Sequence, residues 1–294
     1  MLEMILIILE QALIHVPLMC AAYISFSLLK VPDLSLESAY VSGALATSLC
    51  LSIAPVVQSN GVLLVLLICI SLISGALVGL VAGLLTRLLA IPHLLSAIIT
   101  NGIFWGVNQI LVGTYLSLSG LRNPLIINLV ARHPELPLLL LIGITVVCVM
   151  FFVCQTQLGY SFAVFGTAPH FFRHYGINAD YVFIVGLCVS NALAGLTGYL
   201  FAQSTGFADI NMGFGKTLFC ITALMLGKTV CIAKKPIVIW VPIIGGIFYF
   251  VMQQLLLKVG FNLKYFTMVQ ALLVLLILIV HTRKSGETID YLGV

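Results

Sequence analysis

Charge is what this sequence has least of. Of its 294 residues, 13 are Lys or Arg and 9 are Asp or Glu, whereas a water-soluble domain carries about a quarter charged residues to solvate its surface. That shortage excludes a soluble enzyme of this length. With 62% hydrophobic residues and a mean hydropathy of +1.21, the chain must use lipid as its solvent. A basic face that would hold nucleic acid is also missing.

Other absences narrow the class. The eight cysteines (20, 50, 69, 148, 154, 188, 220 and 231) include no CxxC pair, so they read as small buried hydrophobes rather than a disulfide framework or zinc site. Runs such as Gly61–Leu85 and Ala271–Val280 are continuously apolar rather than alternating; with every backbone amide in the bilayer needing an internal partner, that pattern selects helices over a barrel. Met1-Leu2-Glu3-Met4 lacks the basic flank of a secretory signal, so the first apolar run is expected to be retained as a span. Only His281–Asp290 forms a long polar stretch, and no soluble catalytic domain is expected.

What is present is an all-α, polytopic helical membrane protein. Pro, Gly and charge breaks divide it into about nine spans of roughly 20 residues: 5–29, 35–54, 61–87, 91–112, 137–154, 181–203, 212–227, 236–257 and 265–281. Residues 1–281 form the membrane domain, 155–180 its longest cytoplasmic break, and 282–294 a cytoplasmic tail. The orientation follows from basic residues: with the N-terminus outside, Lys30, Arg87, Arg173, Lys228, Lys234, Lys235, Arg283 and Lys284 fall inside. Arg122, Arg132, Lys258 and Lys264 fall outside, a bias of the expected sign.

Two segments carry small residues at helical spacing, Gly75/Gly79/Gly83 and Gly186/Ser190/Ala194/Gly198/Ala202, which suits close backbone packing. Asp33-Leu34-Ser35-Leu36 and Asp209-Ile210-Asn211-Met212 share an acid–aliphatic–small polar–aliphatic pattern. Five spans separate them, so they enter from opposite faces as a candidate inverted repeat, the arrangement in which interrupted helices meet at a solute path. Asp33, Glu37, Ser42, Asp209, Asn211, Lys216 and Thr217 are the polar groups these segments place at apolar spans. A Lys at membrane depth costs about 3 kcal/mol unless it meets water or a partner. Lys216 therefore either lines a path or snorkels to the outer headgroups.

Several motifs resolve into bland readings. Gly213-Phe214-Gly215-Lys216-Thr217 ends like a phosphate-binding loop, but Ile210 stands where the leading Gly is required. His170 and His174 share a helical spacing with no third ligand nearby, so no metal or cofactor is expected. No paired-acid or Ser/Lys constellation for intramembrane catalysis can be assembled, and the chain is expected to be non-catalytic. In 155–180, Phe162, Phe165, Phe171 and Phe172 interleave with Gly166, Pro169, Arg173 and His174, as a short interfacial helix with apolar groups free to dock would.

Gly176-Ile177-Asn178, Ser190-Asn191-Ala192-Leu193-Ala194-Gly195-Leu196-Thr197-Gly198 and Gly206–Gly213, with Pro32–Ser38 and Ile91–Thr100 upstream, resemble permease subunits of bacterial ABC importers of the branched-chain amino acid and ribose class. Within it they are most similar to the tryptophan/tyrosine-type branch, over roughly residues 1–280. The resemblance implies a homodimer in the bacterial plasma (inner) membrane, ATP-binding subunits on the cytoplasmic loops, and an extracytoplasmic substrate-binding protein delivering a small solute, with amino acids the expected class. It implies coupling to the ATPase through Gly166, Pro169, Phe171, Phe172, Arg173, Tyr175, Gly176 and Asn178. The chain departs from the family at Ala163, Thr167, Ala168 and Lys228, leaving an aromatic, weakly charged coupling surface. The rival reading is an ion-gradient-driven secondary transporter, suggested by the candidate repeat and the span-end acids.

Overall fold

In lipid a helix satisfies its own backbone, and the long apolar runs of this chain all become helices in the computed structural model. It describes residues 2–53, 60–118, 123–126, 135–168, 170–174, 176, 178–230, 240–261 and 265–285. The first half contains α1 (Leu2–Ala22), α2 (Leu36–Ile53), α3 (Asn60–Leu88), α4 (His93–Val112) and α5 (Leu136–Gln155). Two short helices follow, α6 (Gln157–Thr167) and α7 (Phe171–His174). The second half contains α8 (Ala179–Thr205), α9 (Lys216–Val230), α10 (Trp240–Lys258) and α11 (Phe266–Ser285). Among the described residues seven helices are long and apolar enough to cross a membrane. The other two expected spans correspond to α9, which has only 15 residues, and α11, which runs on to Ser285 and so takes the start of the expected tail.

α1 does not end cleanly. It passes into a π-helical turn at Tyr23–Leu28, where Leu29 N donates to Ile24 O at 2.9 Å. Such widened turns release carbonyls from the helical ladder. Ser190 Oγ of α8 donates to Ala21 O at 2.8 Å, fastening this region of α1 to the core.

α2 and α8 are the most buried of the candidate spans, and the small residues explain why. A methyl at Gly75 of α3 would overlap the Asn191 carbonyl, and one at Gly198 of α8 would overlap the carbonyl of Tyr40 on α2. The two small-residue stripes therefore do not pack on each other. α3 lies against Ile184, Leu187, Asn191 and Gly195, while Gly186, Ser190 and Gly198 face the end of α1 and α2.

The packing repeats internally. α2 packs on α3 and α4 as α9 packs on α10 and α11; α3 packs on α8 as α10 packs on α1; α2 crosses α8 as α9 meets α1. The two units run in opposite directions, since the end of α1 and the start of α8 lie together beside α6. Both connecting motifs fold alike: Ser35 N donates to Asp33 Oδ1 at 2.9 Å and Asn211 N to Asp209 Oδ1 at 2.6 Å. The four-residue pattern is thus the turn chemistry that starts each interrupted segment.

At the end opposite α6, β1 (Tyr115–Ser117) pairs antiparallel with β2 (Phe207–Asp209) in the register Tyr115↔Asp209, Leu116↔Ala208, Ser117↔Phe207. This ribbon links the exits of α4 and α8. Tyr115 stacks on Phe207 with centroids 5.9 Å apart.

Candidate functional site

The two interrupted segments meet inside the bundle. Gly213 lies so close to α2 that a methyl there would come within 2.6 Å of the Glu37 carbonyl, and Thr217 N donates to Glu37 Oε1 at 3.2 Å. Glu37 thereby joins the first turn of α2 to the first turn of α9, where each helix has amides without an internal partner. A cavity of about 170 Å³ opens beside this junction, lined by Glu37, Asn101, Trp105, Asn108, Asn211 and Phe214 among others. Asn108 Nδ2 donates to Ser42 Oγ at 3.1 Å and Asn101 Nδ2 to Leu34 O at 2.9 Å, so α4 is tied to the α2 segment by side-chain amides.

Lys216 opens a second cavity. Its Nζ lies 3.2 Å from His15 Nε2, 4.9 Å from the centroid of the Tyr40 ring and 4.7 Å from that of Phe201. There an aromatic and imidazole surround holds the cation by ring faces and one hydrogen bond. This cavity is about 280 Å³, and Phe214, 81% exposed, borders both.

Of the seven expected path residues, Glu37 and Asn211 line the first cavity and Lys216 the second. Ser42 and Thr217 adjoin them through Asn108 and Glu37. The two turn acids line neither cavity. Asp209 lies in the ribbon, and Asp33 is fully buried, accepting from Ser35 and from Asn191 Nδ2 at 2.9 Å while His93 Nε2 stands 3.5 Å away. The sequence reading missed Asn101 and Asn108, although two amides seven residues apart on one face of an apolar span are a signal. It missed His15 as well, an ionisable residue in the middle of α1.

At the α6 end, local structure accounts for several residues expected to couple to an ATPase. Gly166 packs against the Leu28 carbonyl of the π turn. Gly176 takes a left-handed φ of +67°, and Asn178 caps α8 by accepting from Asp180 N at 2.9 Å. Phe171 is 45% exposed, but Phe172 is 2% exposed and belongs to the core. Phe172 is thus not a surface anchor; adjacent side chains of a helix diverge, and here the second ring packs into the core while the first stays at the surface. Pro169 and Tyr175 lie outside the described residues, as does the side chain of Arg173. Arg87 at the end of α3 pairs with Asp180 at 3.0 Å and lies over the rings of Phe183 and Phe165 at 4.5 and 5.7 Å. Phe165 stacks on Phe183 at 5.5 Å, so α3, α6 and α8 are locked at this end. Among the described residues no three His, Cys, Asp or Glu side chains converge as metal ligands.

Comparison with known proteins agrees with this architecture. The chain is 30% identical over 262 residues to an uncharacterised protein of Rickettsia prowazekii, covering 86% of this chain and 89% of that one. It is 30% identical over 229 residues to the tyrosine transport system permease protein of Clostridioides difficile, covering 76% and 73%. It is 26% identical over 196 residues to the autoinducer 2 import system permease protein LsrC of Escherichia coli, covering 64% and 55%. No solved structure matches. Residues 4–278 match the family model for the permease component of branched-chain amino acid transport systems, and this multi-pass membrane protein belongs to that family.

Proposed function

We propose that the chain forms the translocation path of an ABC importer for a small solute of the amino-acid class, with ATP-binding subunits docked at the α6–α7 end and a substrate-binding protein at the ribbon end. The observation that carries this reading is the junction of Glu37 with Gly213 and Thr217. It brings two oppositely entering segments together with polar groups and open space, as discontinuous helices do in transporters. The relatives named as permeases support it. Two copies of the chain would flank the path.

ATP-driven closure of the motor subunits would move α6. Because Phe165, Arg87, Phe183 and Asp180 interlock, that displacement would be passed to α3 and α8, and through Asn191 to the Asp33 turn that begins α2. The packed helices would then rock between two arrangements rather than deform continuously.

Affinity purification of the tagged chain from its native membrane tests this. An ATPase should co-purify, and uptake by reconstituted vesicles should require ATP. A chain that emerges alone and whose uptake follows an imposed ion gradient would support the secondary-transporter reading instead.

A further inference from the structure

We propose that the cavity around Lys216 is a binding site for the carboxylate of a small solute whose apolar part rests on the adjoining aromatic rings. The inference rests on the permease reading and names the chemistry of the solute at one of its two cavities.

The donor inventory leads there. His15 Nδ1 lies 2.9 Å from Gln11 O, a group that only accepts, so Nδ1 carries a proton. With Lys216 as the donor at 3.2 Å, His15 Nε2 is the acceptor and the imidazole is neutral. One of the three ammonium N–H groups is thereby used. The Tyr40 and Phe201 rings offer π faces at 4.9 and 4.7 Å, which attract a cation without accepting strong hydrogen bonds. Among the described residues no carboxylate forms an ion pair with Lys216. A cation so placed inside an apolar bundle lacks the anion that normally accompanies one.

The rest of the cavity wall supplies what a carboxylate and its attached body need. Gln11 of α1, Gln253 of α10 and Gln270 of α11 converge on it from three helices, offering amide donors to the second oxygen and amide oxygens to any accompanying ammonium group. Phe219, Tyr249 and Phe250 form an aromatic cluster on the same wall, with centroids 4.6 to 5.5 Å apart. An apolar body would gain contact there. The volume of about 280 Å³ limits the occupant to a small molecule. A lipid headgroup is the other source of an anionic oxygen, and the experiment separates the two.

The test uses the full-length chain in nanodiscs of zwitterionic lipid, with phenylacetate and its neutral isostere phenylacetamide as probes and thermal unfolding as the readout. Phenylacetate should bind at least about tenfold more tightly than phenylacetamide, as one charge-assisted hydrogen bond provides. Lys216→Met should abolish that difference, and Lys216→Arg should retain it, which guards against a Met variant that merely folds badly. Equal effects of the two probes on the wild-type chain, or discrimination that survives Lys216→Met, would overturn the proposal. So would an anionic phospholipid retained by the wild-type chain and lost from Lys216→Met. Recruitment of an ATPase is scored separately. A chain that discriminates the probes but recruits none keeps this site and sinks the importer reading; one that recruits an ATPase and ignores charge does the reverse.

Discussion

Asn191 Nδ2 donates to Asp33 Oδ2 at 2.9 Å across a sequence separation of 158 residues, joining the middle of α8 to the turn that begins α2. Asn191 lies eleven residues beyond Asp180, a rise of about 16 Å along α8, so this carboxylate sits deep within the bundle. Ser35 N and Oγ donate to Oδ1, and His93 Nε2 stands 3.5 Å from the same oxygen. A buried acid so surrounded ties together three segments, its own turn, α4 and α8.

Removing it should be severe. Asp33→Ala leaves the Asn191 amide and His93 facing an apolar gap, and each buried donor left unsatisfied costs about 1–3 kcal/mol. Thermal unfolding in detergent should show Asp33→Ala far less stable than Asp209→Ala, because Asp209 lies in the ribbon and caps only its own turn. Equal losses would mean that the deep network contributes nothing beyond the turn.

Glycines on different faces should respond with opposite sign. A methyl at Gly75 would meet the Asn191 carbonyl, whereas one at Gly106 of α4 meets nothing within 4 Å. Gly75→Ala should destabilise by about 1–3 kcal/mol through overpacking. Gly106→Ala in the isolated subunit should stabilise by up to about 1 kcal/mol, the helix-propensity gain. Unfolding midpoints of the two variants provide the comparison.

The spans were legible because each is set by a local property, about 20 apolar residues between breaks, and most observed helices begin and end within a few residues of the expected limits. The seventh span begins at Lys216 rather than at residue 212 because Asn211–Gly215 turn, with Gly215 at φ +79°. Apolar content cannot distinguish that turn from a helix start. The Glu37–Thr217 junction was legible only in outline, as two similar motifs expected to meet. The Lys216 cavity was not, since His15, Gln253 and Gln270 belong to three helices far apart in sequence and converge only on packing. The inward turn of Phe172 is likewise decided by neighbours and not by its own short helix.

That orientation changes which aromatic should be tested for docking. Phe172→Ala should cost about 3–5 kcal/mol of stability, as truncation of a buried Phe does. Phe171→Asp should leave the unfolding midpoint nearly unchanged, since that ring is 45% exposed, and should weaken retention of the ATPase at least about tenfold if it is a docking anchor. Normal co-purification by Phe171→Asp would move the docking surface elsewhere on the α6 end.

Arg87 separates coupling from stability. Its pair with Asp180 is partly exposed, 33% and 52% for the two side chains, and such pairs contribute about 0–1 kcal/mol, so Asp180→Asn should barely shift the unfolding midpoint. The guanidinium also covers Phe183 at 4.5 Å and Phe165 at 5.7 Å. There a planar cation stacks in a way that an ammonium cannot reproduce. Arg87→Lys keeps the charge at the membrane surface and loses that plane, loosening the hold of α6 on α3 and α8 while costing only about 0.5–1 kcal/mol. The expected result is a complex that assembles and hydrolyses ATP with a lower yield of solute transported per ATP in reconstituted vesicles. An unchanged yield would show that movement of α6 reaches the path by another route, and the Gly166 contact with the Leu28 carbonyl is then the next connection to break.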